Sequence, residues 1–143
     1  MKRTALAACA LALAAPGPAF AGVEAWKTAS DVGAYSLIAF SIGLPALEGD
    51  RAGALQAAGS FGATSLVTEG LKQAFPKTRP DGSDRKSFPS GHTSRSFSAA
   101  ASLMNRQGAS VGVPAFLVAG FVGLARVEGK KHYWTDVLAG AAI

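Results

Sequence analysis

The chain has 143 residues and two histidines, and each histidine stands among residues that could do acid–base or nucleophilic work. His92 belongs to Phe88-Pro89-Ser90-Gly91-His92-Thr93, at what reads as the start of a helix. The first N–H groups of a helix lack intrahelical partners and sit at the positive end of its dipole, so such a place suits a phosphate-like anion. Gly91 lets the backbone approach that anion, and Ser90 can donate a hydroxyl. Local packing asks for no imidazole there, whereas a ring beside the anion can protonate a leaving oxygen. His132 stands four residues before Asp136. If the two share a helical face, the carboxylate reaches the ring, fixes its tautomer and leaves the other nitrogen free as a nucleophile. Taken alone, such a pair is more often a surface contact.

A phosphoryl group that moves charge onto its equatorial oxygens needs fixed donors around it. Lys72 at the end of an apolar helix, Arg79 in the loop that follows and Arg126 closing a long apolar run are the candidates. Arg126 alone would read as a helix C-terminal cation or a membrane-edge anchor.

Together these residues form a pattern. Lys72, six residues, then Arg79-Pro80; Pro89-Ser90-Gly91-His92; and Arg126, five residues, His132, three residues, Asp136 follow one another in order. The sequence resembles the type 2 phosphatidic acid phosphatase (PAP2) and vanadium haloperoxidase superfamily, whose signature is K-x6-R-P, P-S-G-H and S-R-x5-H-x3-D. The resemblance implies an all-α bundle and a phosphoryl-transfer site without metal or other cofactor. It also implies roles: His132 attacks phosphorus and becomes phosphohistidine, Asp136 orients it, and His92 protonates the leaving alcohol. Lys72, Arg79, Ser90, Gly91 and Arg126 hold the phosphate oxygens. A phosphomonoester or a lipid phosphate or pyrophosphate is the implied substrate, lipid being the commoner case among small bacterial members.

Three departures from the pattern stand out. Ala125 replaces the serine before Arg126, Trp134 takes a position where many members have proline, and the chain runs only seven residues past Asp136, where members usually continue the helix. The alternatives are a vanadate-dependent haloperoxidase, disfavoured because such chains are much larger, and a non-catalytic phosphate-binding or membrane protein on the same scaffold.

The elements that must position these residues are helical. Nearly half the chain (49%) is hydrophobic and aromatics are scarce (8%), which suits closely packed helices better than a sandwich. Apolar spacing predicts helices over 32–47, 52–75, 93–105, 109–127 with a bend at Pro114, and one from 133 that runs off the end at Ile143; five to six helices in all. The long segment 76–91 between the second and third is irregular and charged. Within it Asp81-Gly82-Ser83-Asp84 reads as a solvated turn, lacking the later ligands of a calcium loop.

Residues 1–21 read as an export signal: Lys2 and Arg3, an apolar stretch from Ala5 to Ala15, and Ala19-Phe20-Ala21 as the cleavage site. A mature domain of 22–143 would then face the periplasm, without the sole cysteine, Cys9, and with 12 basic against 9 acidic residues. That net charge of +3, with no basic and aromatic stripe, gives no sign of nucleic acid. Gly123 to Lys130 fits a phosphate-binding P-loop poorly, its glycines being one residue too far apart. The best apolar runs, sixteen and seventeen residues, fall short of the ~20 that a span needs. With Gln56, Thr64, Ser65 and Glu69 on the second helix, they favour a soluble or peripheral periplasmic protein over an embedded one.

Overall fold

The structure is a computed structural model and describes residues 22–143, so the expected signal at 1–21 lies outside the described residues. Among the described residues five helices follow one another: α1 (Val23–Leu47), α2 (Arg51–Ala74), α3 (Gly91–Gln107), α4 (Ala109–Glu128) and α5 (Trp134–Ala141). Among the described residues there is no strand, only an isolated bridge between Lys77 and Lys86 in the α2–α3 connection. The all-α expectation holds.

The largest departure in bounds is α1, which begins nine residues before the apolar run at Val32. Its first turns carry Glu24, Lys27, Thr28, Ser30 and Asp31, a composition that hides a helix from apolar periodicity. Glu24 complements the helix dipole and pairs with Lys27 at 2.7 Å, while Trp26 meets Phe121 of α4 with ring centroids 6.2 Å apart. Ser30 is fully buried because it faces the site described below. The α1–α2 turn uses Gly49 at φ +79°, a left-handed conformation natural to glycine. Asp50 then caps α2 by accepting the Gly53 N–H at 2.9 Å, and holds both arms of Arg106 at the end of α3.

Small residues set how the helices meet. α3 is central and touches all four others. Its Ala99, Ala100 and Leu103 form the core with Leu37 of α1 and Ala115, Val118 and Ala119 of α4. The α3–α4 crossing is close enough that a Cβ on Gly112 would lie 2.5 Å from the Met104 Cα. α4 passes through Pro114 as one continuous helix.

α5 meets the start of α3 just as closely: a Cβ on Gly140 would lie 2.6 Å from the Ser90 carbonyl oxygen and 3.2 Å from the Thr93 Cβ. Backbone cannot yield as a side chain does, so Gly140→Ala should destabilise by about 1–3 kcal/mol, the usual cost of overpacking. Thermal unfolding of the variant checks this.

Two helices correct the length argument made from sequence. α1 (25 residues, mean hydropathy 1.3) and α4 (20 residues, mean hydropathy 1.8) are long and apolar enough to cross a membrane, about 37 and 30 Å at 1.5 Å per residue. Their outer faces, with Val32, Tyr35, Val113 and Leu117, and those of Leu55, Leu66 and Leu138 on other helices, are exposed. Large exposed apolar faces of this kind mark contact with lipid or another apolar partner.

Candidate phosphoryl-transfer site

The α2–α3 connection is held in place by its own backbone. Lys77 N–H donates to Arg85 O, Arg79 N–H to Asp84 O and Ser87 N–H to Lys77 O, all at 2.9–3.0 Å. Asp84 accepts from Arg79 Nε and from the Lys86 N–H, both at 2.7 Å. The Asp81–Asp84 turn is exposed, as expected, and it also acts as a clamp. Asp81 pairs with Lys131 at 2.6 Å and its N–H donates to Lys130 O, which ties the loop to the segment before His132.

His132 is 2% exposed. Its Nδ1 lies 2.6 Å from the carbonyl oxygen of Ser87. A carbonyl can only accept, so Nδ1 carries the proton and Nε2 presents its lone pair. Nε2 faces Arg79 Nη1 at 3.3 Å. Burial pushes the ring down to about 3, with Arg79, Arg126 and Lys72 adding to the effect, so it is neutral through the physiological range. The fold thus brings Arg79 of the α2–α3 connection against His132, 53 residues further along the chain.

The relation between His132 and Asp136 differs from the one expected. His132 precedes α5 rather than lying on it, so the pair shares no helical face. The Asp136 carboxylate is 3.9 Å from Nδ1, and Ser87 O takes the Nδ1 proton instead. Asp136 itself is fully buried and accepts from Ser87 Oγ, the Tyr133 N–H (3.0 Å) and Lys77 Nζ (2.6 Å). Burial alone would raise its carboxyl; Lys77, Ser87 and the Tyr133 N–H outweigh that and hold it below the usual carboxylate range. Asp136 thus fixes Ser87, whose carbonyl fixes the histidine.

Ser90 and Gly91 open α3. The Ser90 hydroxyl accepts from Thr93 Oγ1 at 2.9 Å, leaving its own hydrogen free to donate, and the Ser90 N–H is tied to Asp136 O at 2.9 Å. No side chain caps the helix, so its first N–H groups remain available to an anion. Sterics do not require glycine at 91, since a Cβ there would meet neighbours no closer than 3.5 Å.

Lys72 is buried beneath this loop, donating to Lys86 O at 2.9 Å and to Pro89 O, with one of its three N–H bonds to spare. Burial, then Arg79, lower it to about 8. Arg126 donates through Nη1 to Ser30 Oγ at 3.0 Å and to Asp31 Oδ1 at 3.1 Å, and its buried Nε has no partner among the described residues. His92 Nε2 lies 2.9 Å from the same Asp31 oxygen, out of hydrogen-bond alignment, and Tyr35 meets the ring edge-on at 5.9 Å. Burial and Arg126 push His92 down to about 4, against the opposing pull of Asp31.

Both imidazoles are therefore neutral when folded and would bind protons at about pH 6.5 when unfolded. The unfolded chain binds more protons between those values and pH 3–4, so stability should fall as pH drops from about 6.5 towards 3. Tm measured from pH 7 to 4 should decline, and less steeply in His132→Gln.

Sequence reasoning missed Ser87, Lys77, Ser30 and Asp31. Ser87 and Lys77 sit inside the charged loop without any distinguishing spacing. Asp31, the one acid in a stretch running from Lys27 to Leu47, was the available signal.

The structure thus joins, in one helical bundle, an uncapped helix start at Ser90–Gly91, a neutral His132 facing Arg79, and a neutral His92 close to Asp31 and Arg126. The PAP2 superfamily profile matches residues 53–143, and the chain belongs to that superfamily. Among curated relatives it is similar to a lipid A 1-phosphatase of Porphyromonas gingivalis, 37% identical over 75 residues (50% of this chain, 17% of the relative). It is also similar to a probable lipid phosphate phosphatase 4 of Arabidopsis thaliana, 40% identical over 73 residues (41% of this chain, 23% of the relative). The matched segments thus span under a quarter of either relative. The fold matches the crystal structure of a transmembrane PAP2 type phosphatidylglycerolphosphate phosphatase from Bacillus subtilis, with TM-score 0.65 and 24% identity over 99% of this chain and 79% of that one.

Proposed function

We propose that the chain is a phosphatase of lipid phosphates that works through a phosphohistidine, without a metal, at the periplasmic face of the bacterial envelope after removal of residues 1–21. The observation that carries this reading is the His132 tautomer, with Nδ1–H on Ser87 O and the Nε2 lone pair facing Arg79. Nε2 attacks phosphorus as the bond to the alcohol oxygen breaks, and His92, neutral in the empty site and protonated once the phosphoryl dianion is bound, gives that oxygen its proton. The ring gains positive charge in the step, which Ser87 O and the Asp136 carboxylate offset. Arg79, Arg126, Lys72, Ser90 and the Gly91 N–H take the charge that spreads over the phosphoryl oxygens. A water that has lost its proton to His92 then cleaves the P–N bond, releasing phosphate and restoring both rings.

A lipid substrate is supported by an apolar hollow of about 600 Å3 lined by Leu71, Ala74, Phe75, Pro76 and Phe88. Its remaining wall is Lys77, whose Nζ binds the Asp136 carboxylate, so the hollow is linked through one side chain to the carboxylate that fixes Ser87. The names of the relatives, lipid A and lipid phosphate phosphatases, and the two span-length helices support the same choice.

Phosphate release from phosphatidic acid, a polyprenyl pyrophosphate and p-nitrophenyl phosphate tests it. A lipid should be preferred, and Phe75→Ser should reduce turnover of the lipid while sparing p-nitrophenyl phosphate. Equal use of all three by parent and variant would remove the lipid assignment.

A further inference from the structure

Asp31 lies on α1, outside both the 72–136 pattern and the 53–143 match, yet one of its oxygens serves two groups of the site. Asp31 Oδ1 is 2.9 Å from His92 Nε2 and 3.1 Å from Arg126 Nη1. We propose that Asp31 is a positioning residue that exchanges partners: a bound phosphoryl group takes the Arg126 guanidinium, and the released carboxylate turns fully to His92 and holds it protonated for transfer to the leaving oxygen. This rests on reading the site as a phosphoryl cradle.

The geometry makes the exchange workable. Arg126 has an unpartnered buried Nε and keeps Ser30 Oγ as a second anchor, so it can accept a phosphoryl oxygen without losing its place. The Asp31 side chain is 48% exposed and can turn with little resistance, whereas the guanidinium is 8% exposed and fixed. The groups facing His92 are Asp31 and Tyr35 from α1, Arg95 from its own helix and Arg126 from α4. Arg126 and Arg95 oppose a charged ring, and among the described residues Asp31 is the group that favours one. A dianion that neutralises Arg126 weakens the chief opposing charge while leaving the favourable one in place. A general acid would thereby be charged only when there is something to protonate.

The two histidine rings of the full chain can be followed by NMR titration, with His132→Gln assigning the signals, with and without inorganic phosphate. In the parent, phosphate should raise the His92 midpoint by about one pH unit or more, the scale of a neighbouring opposite charge. In Asp31→Asn the midpoint should start lower and the phosphate-linked rise should shrink by at least half, with Asp31→Glu restoring part of it. A purely structural role for Asp31 would leave the phosphate-linked rise intact. An unchanged rise in Asp31→Asn overturns the exchange while phosphate still perturbs both rings; phosphate that perturbs neither ring in the parent overturns the cradle itself, and the exchange with it.

Discussion

His132→Ala should lower phosphate release by at least about 1,000-fold, the scale on which removing a nucleophile acts. The loss should fall on kcat, because the proposed phosphate ligands Arg79, Arg126 and Lys72 remain when the ring is gone. Affinity for inorganic phosphate should even rise slightly. Arg79 Nη1 now faces Nε2 at 3.3 Å, and truncation frees that donor and opens room beside it. Ser87 O loses its partner, so some stability is lost, on the order of 1–3 kcal/mol for a buried acceptor left unpaired. Turnover, phosphate binding and Tm measured on one preparation separate these effects. A variant that binds phosphate, stays folded and retains a tenth or more of parental kcat would leave His132 with no covalent role.

The second large effect belongs to His92 and depends on the leaving group. Removing a general acid costs about 100- to 10,000-fold, but only where the departing oxygen needs a proton. An alkyl or lipid alcohol is a poor leaving group and should show the full loss in His92→Ala. p-Nitrophenolate departs without help and should lose less than tenfold. Geometry supports the assignment: His92 stands at the same helix start as Ser90 and Gly91, with its Nε2 on Asp31 and Arg126 beside it. A plot of rate against leaving-group acidity should be steep in the variant and nearly flat in the parent. Equal losses for both esters would make His92 a binding residue instead.

Much of this site was legible in the sequence because its chemistry is local to short spacings. Lys72 six residues before Arg79-Pro80, the run Pro89 to His92, and Arg126, His132 and Asp136 at fixed intervals are matters of residue type and count. The α2, α3 and α4 helices also lay within two residues of their apolar periodicity. What stayed hidden depends on three dimensions. The polar first turns of α1 gave no apolar period, yet they are helical because Ser30 and Asp31 face Arg126, some 95 residues away in sequence. The i, i+4 spacing of His132 and Asp136 suggested a shared helical face. A helix that starts only at Trp134 puts them in a cap geometry, with Ser87 between them in function. Length misled too, since apolar runs of sixteen and seventeen residues lie inside helices of 25 and 20.

Two of the departures from the family pattern have a clear place in the fold. Ala125 is fully buried against its neighbours, and Trp134 is the exposed first residue of α5.

The central claim is that Nε2 of His132 forms a covalent bond to phosphorus. Rapid alkaline quenching of the protein during turnover of a lipid phosphate, followed by peptide mass spectrometry, tests it most directly, since phosphohistidine survives in base. Phosphate carried on the peptide that contains His132, absent in His132→Ala and increased in His92→Ala when p-nitrophenyl phosphate is the substrate, is the expected result. Full turnover with no phosphorylated peptide, or with the phosphate on His92, would contradict it.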